Sequence, residues 1–145
     1  MYNYVKQISV FLPNETGSLA AFTKVLAENG VDMLALSIAD TASFGILRVI
    51  VPKFEYALDV LKKAGYTANL TAVIAVSVPD KPGGFHRALQ VLNDAGVGVE
   101  YLYSFVRNVE GRAVLILRVD KAEEALEKLR EANVDVLSRE QVQEM

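Results

Sequence analysis

The chain has 145 residues, 52% of them apolar and 23% charged, with a formal net charge of −3. That is the balance of an ordinary folded globule, and its acidic excess argues against nucleic acid as a partner, since phosphate neutralisation needs a dense Lys/Arg surface. There is no cysteine, which excludes disulfides, thiolate catalysis and Cys-based metal sites. No signal peptide precedes the first strand and no apolar run approaches the roughly 18 residues of a membrane span, so a cytoplasmic protein with no membrane contact is expected.

Residues 5–12 alternate, with Ile8, Val10 and Leu12 on one face, and predict a strand. A turn-rich loop, Pro13 to Thr16, follows. Leu19, Phe22, Val25 and Leu26 then fall at helical spacing, and Asn29-Gly30 provides the left-handed stop that a helix C-terminus favours. Residues 31–40 and 45–51 predict two strands, joined as a hairpin by Thr41-Ala42-Ser43. A second helix carries Ala57, Val60, Leu61 and Ala64 on one face and closes at Gly65. The stretch 67–78 supplies a fourth strand and also the next first one.

From there the order repeats: helix 84–95, strands 97–106 and 112–119, helix 122–132, and a short strand near 134–137. The residues repeat as well. Leu12-Pro13-Asn14-Glu15-Thr16-Gly17 returns 66 positions later as Val78-Pro79-Asp80-Lys81-Pro82-Gly83, Asn29-Gly30-Val31 as Ala95-Gly96-Val97, and Gly45 as Gly111. Beyond Gly111 the second copy gains two residues, so that Ala57 and Leu61 return as Ala125 and Leu129. Two copies at a fixed period make two small modules, assigned to residues 1–70 and 71–145. Each reads strand-helix-strand-strand-helix-strand, a ferredoxin-like α+β unit with both helices on one sheet face.

The other sheet face is expected to be bare. With Leu34, Leu36 and Ile38 turned to the core, the opposite side holds Ala35, Ser37 and Ala39 in copy one and Tyr101, Tyr103 and Phe105 in copy two. Phe11, Val73, Ala75, Val114 and Ile116 share that side. An apolar patch of this extent marks a contact surface, most simply a homodimer; with the parity reversed, the same rings are core.

No catalytic constellation is present. His86 is the only histidine and falls at a helix start, and no glycine-rich nucleotide loop, nucleophile elbow or acid/base carboxylate pair occurs. No cofactor or metal is expected. Glu123, Glu124, Glu127 and Glu131 with Lys121, Lys128 and Arg130 make a solvated helix face. What does recur is the turn before each first helix, Asn14-Glu15-Thr16-Gly17 and Asp80-Lys81-Pro82-Gly83-Gly84. Glycine at a helix start lets a ligand approach unpaired backbone N–H groups that suit a carboxylate, while Asn14 and Asp80 suit an ammonium. The same residues also serve as plain turn formers, and their duplication does not decide between the two.

The run Asp80-Lys81-Pro82-Gly83-Gly84-Phe85, followed by a helix ending Asn93-Asp94-Ala95-Gly96-Val97, closely resembles the ACT domain, a regulatory module that binds amino acids. The likeness covers the whole chain as two copies. Leu36-Ser37-Ile38-Ala39-Asp40-Thr41 with Phe44-Gly45-Ile46-Leu47-Arg48, and Val99-Glu100-Tyr101-Leu102-Tyr103, are similar to small stand-alone tandem ACT proteins. The resemblance implies two units side by side in an eight-stranded antiparallel sheet with four helices on one face. It also implies an effector amino acid where the units meet. Carried over residue by residue, one site pairs Asn14, Glu15, Thr16 and Gly17 with Val97, Gly98 and Val99; the other pairs Asp80, Pro82, Gly83 and Gly84 with Val31, Asp32 and Met33. Thr16 stands where the family has proline, and Asp32 stands opposite Gly98, so the two sites are expected to differ.

The expected function is therefore a non-catalytic regulator that binds a free amino acid and modulates its own assembly or a partner enzyme of amino-acid metabolism. The alternative is a subunit acting through its apolar sheet face without a ligand. An enzymatic or RNA-binding reading, with Tyr101, Tyr103 and Phe105 as stacking platforms beside Arg107, Arg112 and Arg118, conflicts with the acidic balance.

Overall fold

A computed structural model describes residues 4–40 and 43–145, with the backbone alone at Asp40. In chain order it contains β1 (Val5–Pro13), α1 (Ser18–Glu28), β2 (Ala35–Asp40), β3 (Phe44–Ile50), α2 (Phe54–Lys63), β4 (Ala68–Pro79), α3 (Gly84–Asp94), β5 (Val99–Ser104), β6 (Arg112–Val119), α4 (Ala122–Glu131), β7 (Asp135–Leu137) and α5 (Arg139–Gln143). Thr41 and Ala42, expected to turn the first hairpin, lie outside the described residues. The chain forms two compact units, one of residues 6–71 with 143–145 and one of 72–142 with the start of β1.

In the first unit β3 lies between β2 and β1, antiparallel to both, with Ile8 opposite Val49 and Leu36 opposite the same residue. Alternation places Ile8, Val10, Leu12, Leu47 and Val49 on one face. There they bury Phe22 and Leu26 of α1 and Phe54, Ala57 and Leu61 of α2. Tyr66 closes this core edge-on against Phe22, with ring centroids 5.5 Å apart. The second unit repeats the plan. β6 lies between β5 and β4, and β7 pairs with the other side of β4. Ile74, Val76, Val78, Leu115, Leu117 and Val119 meet Ala88 and Leu92 of α3 and Ala125, Leu126 and Leu129 of α4.

Three expectations are corrected. The described residues contain seven strands and five helices rather than eight and four. The last strand of copy one and the first of copy two are the single 12-residue β4, and the extra helix is α5. Ser138 starts α5 with a reciprocal cap: its Oγ accepts from Gln141 N at 3.1 Å while its own N–H donates to Gln141 Oε1 at 2.7 Å. Second, Gly111 is not the counterpart of Gly45. Leu12 faces Gly45 and Val78 faces Ala113, so the two added residues lie earlier, in the β5–β6 connection. There Glu110 and Gly111 take positive φ in a two-residue turn closed by Val109 and Arg112.

Third, the sheet face opposite the helices is not bare in the second unit. Its parity is as expected, since Tyr103 pairs with Ile116 and Leu102 with core-facing Leu117. Yet Val73, Ala75, Val114 and Ile116 are buried within the chain, and Tyr103 and Phe105 are only 9% and 8% exposed. Tyr101 and Tyr103 stack on each other at 6.5 Å. Arg118 is held by the Ala72 carbonyl at 2.9 Å and by Glu100 at 3.4 Å. These rings are not stacking platforms flanked by open arginines. In the first unit the sheet face opposite its own helices carries Phe11 and Phe44, which are 49% and 52% accessible.

Candidate functional site

The two loops ahead of α1 and α3 have the same internal bonding. Glu15 N donates to Pro13 O and Lys81 N to Pro79 O, each at 2.9 Å; Ser18 N donates to Glu15 O at 3.2 Å and Gly84 N to Lys81 O at 3.1 Å. Gly17 and Gly83 sit at the helix N-caps with φ of 92° and 88°, a left-handed backbone that glycine alone adopts without strain. Neither helix has a side-chain cap. The donors of the first helical turn therefore lack the usual Ser, Thr, Asp or Asn oxygen, at the positive end of the helix dipole.

Gly84 has a second requirement. A Cβ there would stand 2.2 Å from the Pro79 carbonyl oxygen, so the second loop folds more tightly than the first, which has Ser18 in that place. Asp80 is also anchored, accepting from Asn108 Nδ2 at 2.9 Å. Asn108 in turn takes the Gly111 N–H on its Oδ1 at 2.6 Å. Asn108 belongs to the lengthened hairpin of copy two. In copy one the loop meets its hairpin through a backbone bond, from Asn14 N to Ser43 O at 3.2 Å.

Within their units, the expected site residues fall into separate places. Pro82, Gly83 and Gly84 line a pocket of about 590 Å³ together with Arg87, Arg112 and Asp135. Arg112 donates from Nε to Ser77 Oγ and from Nη2 to Ser77 O, both at 2.9 Å, and meets Asp135 at 3.3 Å. Arg87 donates to the Ala132 carbonyl. Val31 and Asp32 line a second pocket of about 630 Å³ with Tyr56, Lys53 and the terminal Gln143 and Met145. Val97, Gly98 and Val99 line a third of about 600 Å³ with Asn93 and Tyr101. Asn14, Glu15, Thr16 and Gly17 are exposed, and Met33 packs against the first core.

Val31, Asp32 and Met33, expected in a strand, precede β2, and Val97 and Gly98 precede β5. The contrast between Asp32 and Gly98 is matched by a second one. Gly98 N donates to Asp120 Oδ1 at 2.9 Å, and a Cβ on Gly98 would stand 2.8 Å from that carboxylate. Copy one has Pro52 in place of Asp120 and carries its acid at Asp32 instead. His86 is exposed, and the described residues hold no group of three metal-ligating side chains. No helix among them is long and apolar enough to cross a membrane. Asn108 and Arg87 carry no repeat signal in the sequence, because neither recurs at the matching position of copy one.

A family model described as an ACT domain pair matches residues 3–145. The chain belongs to the ACT domain pair family. This ACT pair is 37% identical to a Bacteroides thetaiotaomicron protein of solved structure, over 98% of this chain and 97% of that one, with a TM-score of 0.89. It shares its fold with the regulatory subunit of aspartate kinase from Thermus thermophilus in ligand-free form, at 23% identity, coverage of 90% and 94%, and a TM-score of 0.66. The regulatory subunit of aspartate kinase from Thermus flavus is similar at 21% identity, coverage of 90% and 93%, and a TM-score of 0.59. No curated protein sequence matches this ACT pair.

Proposed function

We propose that this chain is a non-catalytic regulatory module that binds a free amino acid and thereby alters its own assembly or the activity of a partner enzyme of amino-acid metabolism. The observation that carries the reading is the pair of identically bonded loops, each ending in a left-handed glycine at an uncapped helix start. Main-chain donors in that setting suit the α-carboxylate every amino acid shares. Membership of the ACT pair family supports it, and the relatives of similar fold named as regulatory subunits support a separate enzyme as partner.

The ligand-contacting residues in this proposal are Asn14, Glu15, Thr16 and Gly17 with Val97, Gly98 and Val99, and Asp80, Pro82, Gly83 and Gly84 with Val31, Asp32 and Met33. The two ACT units run 1–70 and 71–145. Asp32, exposed in its pocket, is the acceptor for the ligand ammonium. Ligand acts by preferring one arrangement of the protein over another, since only differential affinity shifts an equilibrium.

The test is thermal denaturation of the purified protein against each of the twenty amino acids at millimolar concentration. A selective rise in Tm is expected, corresponding to about 2.7 kcal/mol at a hundredfold excess over Kd. A flat panel overturns the reading. A second reading, protein contact without ligand, is favoured by one observation: Phe11 and Phe44 lie exposed on one sheet face of the first unit. A second copy of this chain is the occupant proposed for that face.

A further inference from the structure

The pocket beside Pro82, Gly83 and Gly84 holds three cationic side chains, Lys81, Arg87 and Arg112, against the single carboxylate of Asp135. None of the three is needed by the shared fold. The matching positions of copy one are Glu15, Ala21 and Phe44. The last is fixed by register, since Pro13 pairs with Phe44 as Pro79 pairs with Arg112. Copy one builds the same loop, helix start and core with no cation there. The charge is therefore specific to the copy-two site.

The arginines are oriented but not saturated. Ser77 and Asp135 fix the plane of Arg112 through Nε and Nη2, and Arg87 is held at Nη2 by Ala132. A guanidinium carries five N–H donors in a rigid fork. Nη1 of both arginines, and Nε of Arg87, remain for a further acceptor. Two planar donors and an ammonium converging on one concave surface match a carboxylate better than a neutral or basic group.

We infer that the copy-two site is selective for an amino acid with an acidic side chain, whose second carboxylate is taken by Arg87 and Arg112. This rests on the amino-acid reading above and deepens it. It predicts two unlike sites in one chain, because copy one offers Glu15, Ala21 and Phe44 to the same part of a ligand.

The experiment is calorimetric titration of the whole chain with glutamate, aspartate, glutamine, asparagine and leucine. Glutamate and glutamine are nearly isosteric, so their ratio reads the charge alone. The expected result is that one acid binds at least tenfold more tightly than its amide, and that this ratio shrinks as salt rises. Arg87→Met should cut the ratio at least fivefold, because the acid loses a charge-assisted contact and its amide only a neutral one, and Arg87→Lys should retain part of the ratio; the apo Tm of each variant reports folding. Amides binding as tightly as acids, or a ratio untouched by Arg87→Met, overturns the acidic selectivity while leaving the amino-acid reading standing. Succinate or glutarate binding as tightly as the amino acids overturns the requirement for an amino group. Absence of binding by any amino acid removes both.

Discussion

Asn108 donates through Nδ2 to the Asp80 carboxylate at 2.9 Å, fastening the β5–β6 hairpin to the loop that opens α3. The hairpin reaches because copy two has two more residues there, and the Glu110-Gly111 turn folds them back. The Asn108 amide is itself positioned by the Gly111 N–H. A loop expected to grip a ligand is thereby linked to the tip of the neighbouring hairpin, whose Arg112 pairs with Pro79 at the end of β4.

Replacing Asn108 with alanine should loosen residues 80–84 without unfolding the unit. The bond is exposed, so a loss of about 0.5–1 kcal/mol is expected. Amide exchange across 80–84 should quicken while the core strands β4 and β6 keep their protection. A double-mutant cycle with Asp80→Ala should show a non-zero coupling; strict additivity would mean that the contact carries no energy.

Glycine-to-alanine changes at positions 83 and 84 should fail for different reasons. At Gly84 the new Cβ meets the Pro79 carbonyl at 2.2 Å, and a backbone atom cannot turn aside, so a loss of about 1–3 kcal/mol is expected. At Gly83 nothing lies within 4 Å, but φ is 88°, and left-handed backbone costs a β-carbon residue about 1–2 kcal/mol. At Gly98 the obstacle is the Asp120 side chain, so Gly98→Ala should be partly rescued by Asp120→Ala. Chemical denaturation of the single and double variants checks all three.

Much of the fold is legible in the sequence because its residues obey a period. Ile8, Val10 and Leu12 alternate, Phe22 and Leu26 fall one helical turn apart, and all five are buried in one core. The left-handed glycines are legible as turn punctuation. The two-residue insertion is not, because Gly111 matches Gly45 by letter while strand register aligns Gly45 with Ala113. Alternation shows which side of the sheet Tyr103 of β5 and the following Phe105 occupy but not that the chain itself buries them. The α5 helix is too short for periodicity, although its Ser138…Gln141 cap was a readable signal. Of the site, the repeated parts were legible, whereas Asn108 and Arg87 were invisible to a comparison keyed on what the two copies share.

Tyr4 gives a pH dependence. Its hydroxyl pKa is raised, mainly by burial and further by the Glu123 carboxylate, with Arg130 opposing. A raised native pKa means that the folded chain holds this proton longer than the unfolded one. The associated stability is fully present below the unfolded tyrosine pKa of about 10 and is lost as pH climbs through the higher folded value. Denaturation midpoints measured from pH 9 to 11 should fall less steeply in Tyr4→Phe than in wild type. Equal slopes would remove Tyr4 as a source of alkaline sensitivity.

Phe11 and Phe44 set the last expectation. Pairing of Phe11 with Ile46 and of Pro13 with Phe44 places both rings on one side of the first unit, and both are about half exposed. In copy two the same positions are Ser77 and Arg112, which hydrogen-bond to each other, so the apolar pair is not a demand of the fold. If a second copy covers these rings about a two-fold axis, each substitution acts twice in the interface. Phe44→Asp should then raise the dimer dissociation constant at least tenfold while leaving the monomer's Tm within a few degrees, because the side chain supports no core. Sedimentation of wild type and variant across micromolar concentrations decides it. A wild type that remains monomeric throughout would assign the exposed rings to another partner and remove the homodimer.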